Sequence, residues 1–146
     1  MNLVHTDRNG LQVLDTDECL RLLGTATLGR VGITSDALPV VLPVNFRLDG
    51  NRILFRTGRG TKLDAATHNA VVAFEVDDMD AMSHTGWSVM VTGVARELRS
   101  VDELAQARAL NLPRWAPGED GRVVAISLEI ISGRRIVPGL RPEEQP

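Results

Sequence analysis

Residues 38–48, Leu-Pro-Val-Val-Leu-Pro-Val-Asn-Phe-Arg-Leu, constrain the fold of this chain more than any other segment. The run is apolar at almost every position, which is typical of a strand buried on both faces. Pro39 and Pro43 lie inside it, and proline has no N–H group to donate to a neighbouring strand. We therefore predict a long strand that lies at an edge, is bulged, or faces something other than another strand at its prolines.

Five further segments have the composition of strands: residues 28–35, 52–57, 70–76, 87–99 and 122–131. Asp36-Ala37 predicts a tight turn before the proline-containing strand, and Asp49-Gly50-Asn51 predicts a hairpin turn after it. Gly93, in the middle of a strand, predicts a bulge or a sharp bend. Six strands joined in sequence by turns, with such bends, favour a small antiparallel barrel over a parallel sheet.

Three short helices complete the predicted elements. Asp15 is placed to cap the first, with Glu18 three residues later and Cys19 on its apolar stripe. Residues 61–68 predict a second helix with Thr61 as its N-cap, and residues 101–110 predict a third. We therefore expect one mainly β domain over residues 13–137, with an N-terminal arm (1–12) and a disordered tail (138–146).

The composition excludes several functional classes. A net charge of −3 without a large basic patch gives no support for a nucleic-acid partner. A single cysteine, Cys19, excludes a disulfide framework and a cysteine-based zinc site within one chain. No apolar signal segment or membrane span is recognisable, so we expect a cytoplasmic protein without a membrane partner.

Several motifs of known chemistry fail on inspection. Gly58-Arg59-Gly60 begins like a dinucleotide-binding fingerprint, but Leu63 stands where the third glycine would be. The three histidines, His5, His68 and His84, do not have the spacing of metal ligands, and we predict no metal site. Cys19 lies on an apolar helix stripe, which indicates packing rather than nucleophilic catalysis.

One segment, residues 55–63, has the composition of an anion site. Arg56 ends a strand, two glycines allow a close backbone approach, and Thr61-Lys62 opens a helix. Free N–H groups at a helix start, together with Arg56 and Lys62, can bind a phosphate. The alternative is an exposed turn with solvated basic residues, and from this segment alone that alternative is favoured because such turns are common.

A wider set of motifs carries a family resemblance. Taken in order, they are Leu28-Gly29-Arg30-Val31, Leu38-Pro39-Val40-Val41-Leu42-Pro43-Val44-Asn45-Phe46, Ile53-Leu54-Phe55-Arg56-Thr57, Gly60-Thr61-Lys62-Leu63, Val72-Ala73-Phe74-Glu75-Val76-Asp77, Gly86-Trp87-Ser88-Val89 and Gly133-Arg134-Arg135-Ile136. Over residues 15–136 the chain resembles the FMN-binding split-barrel proteins related to pyridoxamine 5'-phosphate oxidase. It is similar in particular to their short branch with nitroimidazole-resistance-type and deazaflavin-linked members. The resemblance implies a six-stranded antiparallel split β-barrel.

The resemblance also implies a homodimer with FMN in a groove between the two subunits. Arg56, Thr57, Thr61 and Lys62 would hold the phosphate. The isoalloxazine ring would lie beside the second strand, at Pro43, Val44 and Asn45. Trp87 and Ser88 would lie near the ring or the ribityl chain, in the same subunit or its partner. Trp87 could instead be a core or interface aromatic, Asn45 could simply end its strand, and Arg134 could approach the far side of the flavin.

Two departures from the family narrow the function. Thr61 stands where nitroimidazole-resistance relatives have a histidine, and the pyridoxal-phosphate-binding tail of true pyridoxamine phosphate oxidases is not recognisable. We therefore expect a flavin-dependent oxidoreductase acting on a small molecule other than vitamin B6. The alternatives are a deazaflavin-dependent reductase, whose anionic cofactor tail would also use Arg59, and a non-catalytic flavin carrier or sensor.

Overall fold

The fold is taken from a computed structural model, which describes residues 5–112 and 121–137. Eight strands and three helices follow in the order β1 (Gln12–Leu14), α1 (Thr16–Thr25), β2 (Leu28–Ser35), β3 (Leu38–Asp49), β4 (Arg52–Thr57), α2 (Lys62–Ala66), β5 (Ala70–Asp80), β6 (Thr85–Glu97), α3 (Val101–Ala109), β7 (Arg122–Ser127) and β8 (Ile130–Ile136). The predicted tail at 138–146 lies outside the described residues.

Six antiparallel strands close into a barrel in the order β6-β5-β2-β3-β4-β7, with β7 returning to β6. These six correspond to the six predicted strands, which confirms the predicted split-barrel fold. Turns with positive φ angles join neighbours in the sequence, at Asp36-Ala37 between β2 and β3 and at Gly50 between β3 and β4. Strands joined by such short turns pair with each other, so the chain order sets much of the barrel order.

One edge of β6 is shared by two strands, which splits the barrel. Gly86–Thr92 pair with β8, while Ala95–Glu97 pair with β7. Gly93 lies at the point of divergence, where a Cβ atom would lie 1.7 Å from the carbonyl oxygen of Ser127. The predicted bend at Gly93 is thus a place where another backbone passes too close for any side chain.

Three predicted strand boundaries were wrong. The segment 122–131 is two strands, because β7 ends at Ser127 and β8 begins at Ile130. The strand predicted at 70–76 continues to Asp80, and its partner begins at Thr85, since the two form one ladder from Ala70↔Ala95 to Asp80↔Thr85. Cross-strand hydrogen bonding thus extends β5 through acidic residues that rarely occur in strands.

The core fills the barrel with aliphatic side chains and a few aromatic rings. Phe46 and Phe74 are fully buried and meet edge to face, with ring centroids 4.9 Å apart. A second, smaller cluster lies outside the barrel wall, where Leu54 packs with Leu98 and Ala107. Because Leu54 points away from Ile53 and Phe55, α3 covers the outer face of β4.

The short strand β1 and helix α1 cover β8. The carboxylate of Asp15 accepts a hydrogen bond from the Glu18 N–H (2.8 Å), which confirms the predicted N-cap. Cys19 packs in the core beside Gly133, where a Cβ atom would lie 2.7 Å from its Sγ. In the described part of the chain, no helix is long and apolar enough to cross a membrane.

Candidate functional site

Strand β3 has an open edge over most of its length. It pairs with β2 from Ser35↔Leu38 to Leu28↔Asn45, but with β4 only from Phe46↔Phe55 to Asp49↔Arg52. Phe46 donates its N–H to Thr27 on the β2 side (2.9 Å). Backbone groups alternate along a strand, so the odd-numbered residues before Phe46 face the open edge.

The prolines lie at positions that face this open edge. Pro39 and Pro43 both have odd numbers, so neither removes a hydrogen bond from the β2–β3 ladder. Of the three possibilities predicted for this strand, the structure therefore shows an unpaired edge at the prolines. The open edge, defined here as the free side of residues 39–45, offers carbonyl groups and two N–H groups, those of Val41 and Asn45, to whatever lies against it.

The three β3 residues predicted to lie beside a ligand are placed differently. Pro43 and Asn45 both direct their backbone groups to the open edge and their side chains to the outer face of the barrel. Pro43 is exposed there, and Asn45 is half-buried. Val44 points into the barrel and is only 4% exposed. Its backbone faces β2, so Val44 serves the core, whereas Pro43 and Asn45 can contact a ligand.

Arg56 and Thr57 end strand β4 next to the open edge. Extending the β3–β4 register by one residue brings Arg56 opposite Asn45 on the outer face. Arg56 Nε and Thr57 Oγ1 are buried, and neither has a hydrogen-bond partner among the described residues. A buried polar group without a partner costs about 1–3 kcal/mol, so these two atoms indicate a place for a hydrogen-bonding ligand.

Thr61 and Lys62 follow in the turn after β4. Thr61 caps α2 as predicted, since its Oγ1 accepts from the Asp64 N–H (3.0 Å) and lies 2.9 Å from the Gly58 carbonyl oxygen, to which it donates. The hydroxyl proton of Thr61 is therefore committed within the turn. Arg59 and Lys62 are exposed, and neither forms an ion pair within the described residues, so both charges are available to an anion.

Sequence reasoning missed a buried carboxylate beneath this turn. Asp64 accepts hydrogen bonds from the Gly60 N–H (2.8 Å) and from Arg122 Nη1 (3.1 Å). Its three-residue spacing from the N-cap Thr61 resembles a capping box, which could have drawn attention to Asp64. No local pattern indicates Arg122, because it lies 58 positions further along the chain.

Trp87 and Ser88 lie on β6, away from the residues above. Ser88 is opposite Asp77 on β5, and the β2–β5 register, extended by two residues, leads from Asp77 to Leu28 beside Asn45. Ser88 and Asn45 are thus three strand spacings apart, or roughly 14 Å. Trp87 is half-buried against the core and lines a cavity of about 140 Å³ with Met79 and Arg135.

Arg134 is occupied by neighbours in its own chain. It donates through Nε to Asp7 Oδ2 (3.0 Å) and through Nη1 to the carbonyl oxygen of Gly133 (2.9 Å). Together with the Arg135–Glu18 hydrogen bond (2.8 Å), it fastens β8 to the N-terminal segment and α1. The side chain therefore has a structural role in this chain.

Glu75 lies two strands from Pro43 on the outer face, beyond Arg30. Arg30 pairs with Pro43 on one side and with Glu75 on the other, and its Nη1 contacts both Glu75 (3.1 Å) and Asp77 (2.9 Å). Burial, and then the neighbouring Asp77 carboxylate, raise the pKa of Glu75 to about 6 despite Arg30. Glu75 therefore takes up a proton at a higher pH than an ordinary glutamate does.

A larger cavity, of about 390 Å³, lies at the other end of β4. Arg52, Arg96 and Ser127 are among its lining residues. Arg52 contacts Asp49 at 3.0 Å and Arg96 contacts Glu103 at 2.9 Å, so each guanidinium already has a carboxylate partner. Among the residues that the structure describes, no group of three or more His, Cys, Asp or Glu side chains is placed to hold a metal ion.

The residues around the β4–α2 turn fit a phosphate group. Arg56 Nε, on the outer face of β4, and Thr57 Oγ1, on its inner face, can each donate a hydrogen bond to an anion at the end of the strand, and both atoms lack other partners in the described chain. Arg59 and Lys62 add positive charge at the solvent side, and the open edge of β3 leaves room for a flat ring system beside the turn. Of the residues predicted from the sequence, the strand register places Asn45 opposite Arg56, with Pro43 two residues before Asn45 on β3, while Thr57, Thr61 and Lys62 follow Arg56 along the chain.

The comparison with known families matches most of the chain. The family described as Pyridoxamine 5'-phosphate oxidase matches residues 15–135. An uncharacterized protein of Mycobacterium tuberculosis is 41% identical over 133 residues, which cover 88% of this chain and 87% of the relative.

Two solved structures have the same fold. The FAD binding protein from Mycobacterium smegmatis is 39% identical, with a TM-score of 0.75 over 85% of this chain and 96% of its own. A FAD-binding protein from Mesorhizobium loti is 21% identical, with a TM-score of 0.73 over 87% of this chain and 99% of its own. At 21% identity the second likeness shows the fold alone.

Proposed function

Because the chain belongs to the pyridoxamine 5'-phosphate oxidase family, we propose that it binds a flavin by its phosphate and works as a flavin-dependent oxidoreductase on a small molecule. The observation that carries the proposal is the pair of buried atoms, Arg56 Nε and Thr57 Oγ1, without partners in the described chain. Each would gain a charge-assisted hydrogen bond, worth about 1.5–3 kcal/mol, from a phosphate oxygen.

The open edge of β3 suits the flavin ring. Its backbone carbonyl and N–H groups, with the Asn45 side chain, can meet the polar rim of a ring, while the exposed face of Pro43 gives an apolar contact. A bound flavin supplies hydride transfer, and the chain supplies position and electrostatics. Burial of the ring against β3 would exclude water from one side, while a proton for the substrate would come from solvent.

FMN is the cofactor that we propose, because the binding residues near the β4–α2 turn are sufficient for one phosphate. FAD is the nearest alternative, since the Mycobacterium smegmatis relative is named as a FAD binding protein. The exposed charges of Arg59 and Lys62 could meet a longer anionic tail, whether of FAD or of a deazaflavin. Affinities measured for FMN and FAD in parallel distinguish these cofactors.

A homodimer would complete the site. Ser88 lies roughly 14 Å from Asn45 within one chain, and we propose that Trp87 and Ser88 approach the flavin from the partner subunit. The outer face of the barrel also carries exposed aliphatic side chains, with Val41 66%, Val71 69% and Ile130 65% exposed. A soluble monomer rarely exposes several such side chains on one face, so we propose that this face is the dimer interface.

The phosphate site is tested by removing its charges. We expect the double variant Arg56→Ala with Lys62→Ala to bind FMN at least about 100-fold more weakly than wild type, since two charged contacts are lost. Flavin fluorescence quenching measures the dissociation constant. The matched control is Arg99→Ala with Arg108→Ala, two basic residues near and on α3, which should leave the affinity unchanged. Equal FMN affinity in all three proteins would contradict the proposal.

Catalysis is tested separately from binding. Anaerobic addition of NADPH or NADH to the FMN-loaded protein should bleach the visible flavin absorption if the protein is a reductase. If FMN binds but neither nucleotide, nor another physiological reductant, reduces it, the protein is a carrier or sensor. This outcome would refute the oxidoreductase part of the proposal and leave the binding part standing.

A further inference from the structure

The carboxylate of Asp64 lies directly beneath the turn that bears the proposed phosphate site. Its side chain is 8% exposed, and its two oxygens have different partners. Oδ2 accepts from the Gly60 N–H at 2.8 Å, while Oδ1 accepts from Arg122 Nη1 at 3.1 Å. Asp64 therefore connects the backbone of the turn to a side chain from another strand.

Arg122 holds this carboxylate in place from the first position of β7. The residue pairs with Thr57 in the β4–β7 ladder, and its Nη1 also contacts His68 Nε2. Its Nε lies 3.5 Å from Glu97 Oε1, an ion pair rather than a well-aligned hydrogen bond. Because Asp64 and Glu97 lie on either side of it, Arg122 is a counter-ion to these two carboxylates rather than a ligand for phosphate.

These contacts form a network that connects both ends of the turn. Thr57 is joined to Arg122 by the strand ladder, Arg122 to Asp64 by a charged hydrogen bond, and Asp64 to Gly60 by a backbone hydrogen bond. Gly60 has a φ of +76°, a conformation that glycine adopts freely but that its own freedom does not fix. The network holds the Gly60 backbone in this conformation relative to Thr57, whose hydroxyl lacks a partner among the described residues.

A helix cap alone does not account for these contacts. Thr61 already caps α2 by accepting from the Asp64 N–H. The Asp64 carboxylate instead bonds to Gly60, which precedes the cap, and to Arg122, which belongs to a different element. An unpaired carboxylate would also repel a phosphate nearby, whereas here Arg122 balances its charge.

We propose that Asp64 is a positioning residue for cofactor binding, which holds the turn at residues 58–61 in the shape that accepts a phosphate, with Arg122 as its counter-ion. The inference rests on the proposed function, because it concerns the same phosphate site. It assigns Asp64 no contact with the flavin. Loss of the carboxylate therefore weakens binding of the phosphate group and leaves contacts to the flavin ring intact.

The test compares FMN with riboflavin, which has the same ring and ribityl chain but no phosphate. We expect Asp64→Ala to weaken FMN binding about tenfold and to change riboflavin binding by less than about twofold. Asp64→Asn keeps an oxygen that can accept from Gly60, so its FMN affinity should lie between those of wild type and Asp64→Ala. It replaces the alanine variant in the test if that variant does not fold. Asp17→Ala removes an exposed acid from the first turn of α1 and should match wild type.

The outcomes separate the inference from the proposed function. If wild type binds FMN no better than riboflavin, the phosphate site itself fails, and the role of Asp64 fails with it. If wild type prefers FMN and both Asp64 variants keep that preference, the positioning role is refuted while the phosphate site stands. An equal loss of FMN and riboflavin affinity would show that Asp64 only supports the fold.

Discussion

Single glycines set how closely the backbones of this barrel approach each other. At Gly93 the carbonyl oxygen of Ser127 occupies the space of a Cβ atom, whereas Gly24 in α1 has nothing within 4 Å of that position. The two glycines therefore have opposite roles: one is required by a neighbouring backbone, and the other is replaceable in a helix.

We expect opposite effects from alanine at these two positions. Gly93→Ala should destabilise the protein by at least about 2 kcal/mol, because β7 must move away from β6. Gly24→Ala should stabilise it by about 0.5–1 kcal/mol, because alanine is the better helix former. Urea denaturation measures both, and a Gly93→Ala variant as stable as wild type would contradict the described split of β6.

The Glu75–Asp77 pair gives a pH dependence at the residue scale. The pKa of Glu75 rises from 4.5 to about 6 in the folded chain, so folding favours its protonated form. The stability that protonated Glu75 contributes to the fold is complete below pH 4.5 and is lost as the pH rises through about 6.

Replacing Glu75 should remove this dependence. Relative to wild type, we expect Glu75→Gln to gain about 1 kcal/mol in free energy of unfolding between pH 4 and pH 7.5, allowing for solvent screening. Thermal denaturation at the two pH values measures the gain. Glu129→Gln, an exposed acid elsewhere, is the control, and an equal gain there would contradict the assignment.

At the residue scale, what the sequence predicted was local. The N-caps Asp15 and Thr61 and the outward-facing backbone of Pro43 follow from neighbours in the chain, and the structure confirms them. The Asp64–Arg122 pair joins residues 58 positions apart, so no spacing rule indicates it. The unpartnered atoms of Arg56 and Thr57 became visible only once burial was known.

At the element scale, the strands that close the barrel were predicted and the strands that extend it were not. The run from 122 to 131 is continuously rich in aliphatic residues, so nothing marks the break at Leu128-Glu129. There β7 leaves β4 and β8 crosses to the other half of β6. Strand β1 has only three residues, and it exists because β8 offers an edge to pair with.

Helix α1 is fastened to β8 through Glu18, which contacts Arg135 and Arg21 at 2.8 and 2.6 Å. Hydrogen bonds from Arg21, and then from Arg135, lower the pKa of Glu18 to about 2. Glu18 therefore contributes stability above pH 4.5, its ordinary pKa, and this contribution is lost as the pH falls towards 2.

The corresponding prediction concerns acid unfolding. Glu18→Gln should lower the stability at neutral pH and flatten its decline between pH 4.5 and 2, because the titrating carboxylate is gone. Circular dichroism across an acid titration measures this decline. Asp17→Asn, on the same helix turn but exposed, should retain the wild-type profile, and an unaltered profile for Glu18→Gln would contradict the role of the Arg135 contact.

At the scale of the whole molecule, the proposed dimer depends on the outer face that carries Val41, Val71 and Ile130. We expect wild type to sediment as a dimer at micromolar concentration and Val41→Glu to shift it towards monomer, since a buried charge would lie in the interface. Val101→Glu, an exposed valine on α3, is the matched control and should remain dimeric. A monomeric wild type would refute the interface.

The measurement that tests the central claim most directly is a crystal structure of the protein with FMN, judged by the position of the phosphorus atom. We predict phosphate oxygens within hydrogen-bond distance of Arg56 Nε and Thr57 Oγ1, with the ring along the open edge of β3. A phosphate in the cavity beside Arg52 and Arg96, or in solvent with Arg56 and Thr57 uncontacted, would contradict the account.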